Sequence, residues 1–163
     1  MSLVIARAGM EAVPETNALI HEAAAWLVAK GEPLWGPNET SYEDLVQVTQ
    51  SGELVIGRIG GELVACMYLH NEDKLFWPHD PPREAFYIHR LAVARKYAGR
   101  GYADAMLTWA ADETRRERRH YLRLDCEPRP KLLAFYSNAG FVRVDEKPIE
   151  VIGHYVVRHE KPV

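Results

Sequence analysis

Apolar residues recur at helical spacing over residues 15–30, where Leu19, Ala23, Trp26 and Leu27 share a face. The spacing predicts a helix stopped by Gly31. Ahead of it, Ser2 to Arg7 alternates as a first strand does. Residues 32–37 are turn-rich and lead to a second, short helix. Thr40 and Glu43 have the spacing of a capping box for it, and Leu45, Val46 and Val48 give it an apolar side. Two strand patterns follow, Glu53–Ile59 and Glu62–His70, joined by Gly60-Gly61. Paired glycines accept the positive φ angles of a tight hairpin. Residues 71–84 carry Pro78, Pro81 and Pro82 and read as irregular.

The second half repeats the alternation of strand and helix. Ala85 to Val93 is the central strand, with Tyr87, His89, Leu91 and Val93 predicted on one face and Phe86, Ile88 and Arg90 on the other. A helix over Gly101–Arg119 has the stripe Tyr102, Met106, Trp109 and Ala110. Tyr121–Cys126 is a strand, Lys131–Asn138 a short helix, and Gly140 its stop. Phe141–Val144 begins another strand, and Ile149–Arg158 is expected to pair with it.

A chain of 163 residues with 47% hydrophobic content suits one domain, 1–163, with a real core. Net charge of −3 and a pI near 6.2 leave no basic footprint for nucleic acid. The local run Arg115, Arg116, Arg118 and Arg119 is read as a solvated helix end that complements the dipole. Cys66 and Cys126 lie in apolar strands without metal-ligand spacing, so reduced thiols and no metal are expected. No run approaches the roughly 18 apolar residues of a membrane span, and the N-terminus lacks a signal-peptide pattern, so a cytoplasmic protein without membrane contact is expected.

The chemistry concentrates between Tyr87 and Ala103. A strand runs into Ala98-Gly99-Arg100-Gly101, and a helix opens there. Such a turn holds phosphate: the first N–H groups of the helix lack helical partners, and its dipole favours an anion. A P-loop is excluded because Tyr102 and Ala103, not Lys and Ser/Thr, follow Gly101. The dinucleotide fingerprint is excluded because Asp104 replaces its third glycine.

The remaining pattern, Leu91-Ala92-Val93 and then a cation before Gly-x-Gly, resembles the acetyl-CoA motif of the GNAT-type N-acetyltransferases. Leu133 to Phe141, LAFYSNAGF, resembles the same family's F-Y-x-x-x-G-F signature. Together the two matches cover residues 85–145. The resemblance implies a single α/β (α+β) domain. Its mixed, mostly antiparallel twisted sheet has about six to seven strands flanked by about four helices.

The resemblance also implies acetyl-CoA as cofactor and direct attack of a primary amine on its thioester. Backbone groups of Leu91, Ala92 and Val93 bind the acetyl carbonyl. The turn Tyr97, Ala98, Gly99, Arg100, Gly101, Tyr102 and Ala103 holds the pyrophosphate, with the cations of Lys96 and Arg100. Tyr136 is the general acid toward the leaving thiolate. His89, two residues before Leu91-Ala92-Val93, resembles a relay histidine of the arylalkylamine acetyltransferases. Alternation puts Tyr87 on the same face, where it lines the same path, and Glu84 or water alone are alternatives for the base. Two positions depart from the pattern: Lys96 stands where Arg or Gln is usual, and Arg129 stands where many relatives have an Asn seven residues before Tyr136.

Trp35, Trp77 and Tyr87 are candidate acceptor contacts, and these aromatics suit an aromatic or hydrophobic small amine. Two other readings stay open: N-terminal acetylation of a protein, ribosomal proteins included, and a non-catalytic acyl-CoA sensor. A homodimer is compatible with either.

Overall fold

A computed structural model describes residues 1–163. Its elements are β1 (Leu3–Arg7), α1 (Val13–Ala29), α2 (Tyr42–Gln50), β2 (Leu54–Ile59), β3 (Glu62–His70), β4 (Ala85–Val93), α3 (Tyr102–Arg116), β5 (Tyr121–Cys126), α4 (Pro130–Asn138), β6 (Val142–Arg143), β7 (Ile149–Val151) and β8 (His154–Pro162). The fold is α/β, with an open sheet in which only the β4–β5 pair among the registered ladders is parallel. No helix is long and apolar enough to cross a membrane. The chain forms two compact units, residues 1–69 with 90–106, and residues 70–89 with 107–163.

In the first unit, β1, β2 and β3 form an antiparallel meander. Gly60 and Gly61, both at positive φ, make the hairpin that their sequence predicts. Leu19, Ile20 and Ala23 of α1 and Leu45 and Val48 of α2 pack with Leu54, Ile56, Leu63 and Tyr68. Trp26 departs from its predicted core face: it is exposed, with the Arg95 guanidinium 3.4 Å above its ring. The helix cap also shifts by one residue. Ser41, not Thr40, caps α2, its hydroxyl accepting from the Asp44 amide at 3.1 Å.

β4 keeps its predicted bounds but not its simple alternation. Arg90 sits at φ +51, a left-handed conformation inside a strand. Beyond it Ala92 and Ala94 are buried in the α1–α2 core, while Leu91 and Val93 are only half-buried. Arg90 Nε donates to the Glu39 carbonyl at 2.5 Å, which anchors the irregular residue. A left-handed non-glycine costs about 1–2 kcal/mol, so the neighbouring contacts must hold it there.

In the second unit, β5 runs parallel to the first half of β4 and antiparallel to β8. Leu122 and Leu124 are buried and lie opposite Phe86 and Ile88. Arg119 corrects the picture of a solvated arginine run. It is buried, stacks 3.8 Å over Phe86, and donates to the carbonyls of Ala85 (2.8 Å) and Asn71 (3.1 Å). The predicted strand 149–158 is a hairpin instead, which raises the strand count to eight. Ile152 (φ +48) and Gly153 (φ +78) turn the chain between β7 and β8. The partner of β6 then lies further along, at His159 and Glu160.

Candidate functional site

The glycine turn belongs to the first unit. After β4, Arg95–Tyr97 makes a short 3-10 turn, closed by the Tyr97 amide on the Ala94 carbonyl at 2.8 Å. Gly99 and Gly101 follow at φ +74 and +81, and then α3 begins. A Cβ built on either glycine meets nothing within 4 Å. The glycines are therefore required by backbone conformation, and the space beside them is open. A 15-residue helix begins directly after Gly101, and the N–H groups of its first turn lack helical partners, as anion binding needs.

The cations are placed less simply. Lys96 pairs with Glu62 of β3, and Tyr97 donates to the same carboxylate at 2.5 Å. The hydrogen bonds from Lys96 and then Tyr97 hold the Glu62 carboxyl below its ordinary range. The pair is exposed, and exposed pairs are weak, so Lys96 can exchange partners at little cost. Arg100 lies 5.5 Å over the Tyr97 ring. Arg129 stands at the N-cap position of α4, makes no side-chain capping bond there, and pairs with Glu127 at 2.7 Å.

The titratable groups gather in the second unit. His89 Nε2 lies 2.9 Å from Asp73 Oδ2 and 3.9 Å from Asp125 Oδ1. Asp73 comes from the irregular stretch before β4. Its other oxygen accepts from the amides of Leu75 (3.1 Å) and Phe76 (3.0 Å), which fixes the carboxylate in a tight turn. Burial raises the Asp73 pKa, but the hydrogen bond to His89, its charge and the two amides outweigh this and keep the group below the usual range. The His89 ring also meets those of His70 (5.2 Å) and Phe76 (6.5 Å).

Tyr136 sits near the end of α4. Gly140 at φ +92 reverses the chain, so that the Phe141 amide bonds the Tyr136 carbonyl at 3.0 Å and the two rings meet edge to face at 5.8 Å. That contact is the physical content of the F-Y-x-x-x-G-F spacing. Burial first, then the charges of Cys126 and Asp125, push the Tyr136 hydroxyl well above its ordinary pKa. It therefore holds its proton at neutral pH, as an acid must. Burial likewise raises the thiols of Cys66 and Cys126, each to about 12, so both cysteines are inert thiols in the interior.

The other candidates separate. Trp77 and Tyr87 come together, rings 6.1 Å apart, and both are buried. Trp35 belongs to the first unit and packs against its core, with the Arg90 guanidinium 5.9 Å from its ring. The Tyr87 hydroxyl donates to Asp80, which Arg123 also holds at 2.7 Å, so it is committed to this pair. Glu84 faces His120, with 3.6 Å between Oε1 and Nδ1. A cavity of about 280 Å³ is bounded by Glu72, Asp73, Trp77, Asp80 and Tyr87. Sequence reasoning missed Asp73 and Asp125. The one available signal was an aspartate placed to cap the amides two and three residues on.

His159 packs its ring 6.1 Å from that of Tyr136, and burial lowers its pKa. In the unfolded chain the group titrates near 6.5, so below that pH the unfolded state binds more protons than the folded one. The stability due to neutral His159 is thus present above pH 6.5 and is lost as pH falls towards the lower folded value. Melting curves from pH 7 to 5 should show the Tm of the native chain falling roughly 3–6 °C further than that of His159→Gln. Parallel curves would remove this group from the acid sensitivity.

A model of the Acetyltransferase (GNAT) family matches residues 18–141. An uncharacterized N-acetyltransferase of Bacillus subtilis, YesJ, is 28% identical over 130 residues, covering 76% of this chain and 72% of its own. A GNAT-family acetyltransferase structure from Listeria monocytogenes superposes with a TM-score of 0.79 at 21% identity, covering 99% of this chain and 95% of its own. The PaiA N-acetyltransferase of Thermoplasma acidophilum, solved with coenzyme A, gives 0.77 at 16% identity and covers both chains fully, 100% each.

Proposed function

Since the chain belongs to the GNAT acetyltransferase family, we propose that it transfers the acetyl group of acetyl-CoA to a primary amine of a small molecule. The observation that carries the reading is the company of His89: a half-buried imidazole held by a carboxylate, two residues before the Leu91-Ala92-Val93 end of the strand that leads to the glycine turn. The PaiA neighbour was solved with coenzyme A, and the open space beside Gly99 and Gly101 fits the pyrophosphate of the same ligand.

The residues present fit the steps. The turn Tyr97–Ala103 binds the phosphates through backbone N–H groups, with Lys96 and Arg100 as counter-charges. Backbone groups of Leu91–Val93, beyond the irregular Arg90, orient the thioester carbonyl and stabilise its oxyanion. His89 takes a proton from the ammonium, directly or through water. The amine nitrogen then bonds the carbonyl carbon, the carbon–sulfur bond breaks, Tyr136 gives its proton to the sulfur, and the second proton lost by the nitrogen as the amide forms passes through water to the Tyr136 oxygen. The cavity of about 280 Å³ beside Trp77 and Tyr87 is of a size for the body of a small acceptor.

The test is release of free thiol from acetyl-CoA with 2-phenylethylamine, spermidine, lysine, glucosamine and an Ala-initiated peptide as acceptors, after calorimetric titration with acetyl-CoA. Binding with release on a small amine is expected. Release on the peptide alone overturns the small-molecule reading, and binding without release on any acceptor favours a sensor.

A further inference from the structure

Asp73 is a buried carboxylate on a stretch with little regular structure, yet every oxygen of it is committed. Oδ1 accepts the Leu75 and Phe76 amides, and the Asp73 carbonyl accepts the Trp77 amide at 3.0 Å. The turn 73–77 therefore fixes the side chain without help from His89. Oδ2 is left aimed at the imidazole, 2.9 Å from Nε2. A carboxylate can only accept a hydrogen bond, so Nε2 must carry the hydrogen. In neutral His89 the lone pair is then on Nδ1. The His70 and Phe76 rings lie beside it, 5.2 Å and 6.5 Å between centroids, and Asp125 brings a second carboxyl group to 3.9 Å from Nε2.

From this geometry we propose that Asp73 is the positioning residue of the reaction: it fixes the His89 tautomer with Nδ1 facing the proton to be removed, and it stabilises the imidazolium that forms. The inference rests on the reading of His89 as the base. In the step, an N–H bond of the substrate ammonium breaks and an Nδ1–H bond forms. The positive charge passes to the ring, beside the Asp73 carboxylate, and the neutral amine attacks. The proton later leaves from Nδ1 to water. A carboxylate in this place acts through orientation and charge, as in other histidine–carboxylate pairs, and does not itself take the proton.

The experiment compares the native chain with Asp73→Asn, Asp73→Ser, His89→Gln and the double variant Asp73→Asn/His89→Gln. The acceptor is the panel amine with the fastest thiol release. Asn and Ser both keep an oxygen to cap the 73–77 turn, and a melting curve for each separates lost folding from lost chemistry. Expected are a roughly 100-fold fall in kcat for His89→Gln and roughly 10-fold for Asp73→Asn, with the double variant no worse than His89→Gln alone. The ionisable groups facing the ring are Asp73, Asp125 and His70. With Asp73 neutralised the imidazolium loses its nearest partner, so the acid limb of kcat/KM moves to lower pH. Nitrogen-15 spectra of the native protein should show Nε2 protonated, and Asp73→Asn should mix the tautomers.

Each failure reads differently. Full activity in folded His89→Gln overturns the base assignment and the positioning role with it. A large loss in His89→Gln beside an unchanged rate, pH limb and tautomer in Asp73→Asn overturns the positioning role alone. Multiplying losses in the double variant would mean that Asp73 acts independently of His89, which also overturns it.

Discussion

Tyr136→Phe should lower turnover about a thousandfold while leaving acetyl-CoA affinity within about twofold. The change removes one hydroxyl and keeps the ring, so the edge-to-face contact with Phe141 and the packing on His159 persist. What goes is the only proton this side chain can give. A thiolate is a tolerable leaving group without an acid, and this is why the loss stays short of complete. Burial holds the tyrosine protonated, so the native rate should not fall on the alkaline side until well above the pH at which free tyrosine ionises. Saturating kinetics with calorimetry on the same preparation decide the matter. A variant with native kcat removes Tyr136 from the acid role, and a variant with weakened acetyl-CoA binding but native kcat makes it a cofactor contact.

Gly99→Glu should weaken acetyl-CoA binding by a factor of a thousand or more, with the fold retained. Two effects act in the same direction. Any side chain at φ +74 is strained by about 1–2 kcal/mol, and a carboxylate in the turn repels the phosphates it should hold. Gly99→Ala separates them. Its Cβ meets no atom within 4 Å, so it carries the conformational cost alone and should lower Tm by only a few degrees, with modest loss of affinity. Calorimetric titration of both variants is the check. Equal affinities for Gly99→Glu and the native chain would place the cofactor elsewhere.

Much of this molecule could be read before it was folded. β5 keeps the bounds that alternation gave it, because a half-buried strand forces a period of two on the chain, and β4 keeps its bounds although its first four residues are all buried. The family resemblance held because Gly99, Gly101, Tyr136 and Gly140 are needed for backbone and ring geometry that only such residues supply. Three things were illegible. Arg119 looked like any other cation of a basic helix end, and only the fold shows it turned inward onto Phe86. The turn at Ile152 defies the rule that positive φ belongs to glycine or asparagine, so the β7–β8 hairpin was read as one strand. Asp73 meets His89 across sixteen positions of irregular chain, a distance over which neither periodicity nor composition carries information. Tertiary structure alone joined them.

Position 90 has a consequence for the gene as it diversifies. A codon there must serve a backbone that β-branched residues shun and a side chain that reaches the Glu39 carbonyl. Glycine relieves the first demand and abandons the second; lysine keeps a donor but remains strained. Few single-nucleotide steps away from arginine satisfy both. In a library selected for activity, this site should therefore stay narrow while its exposed neighbours on other strands drift.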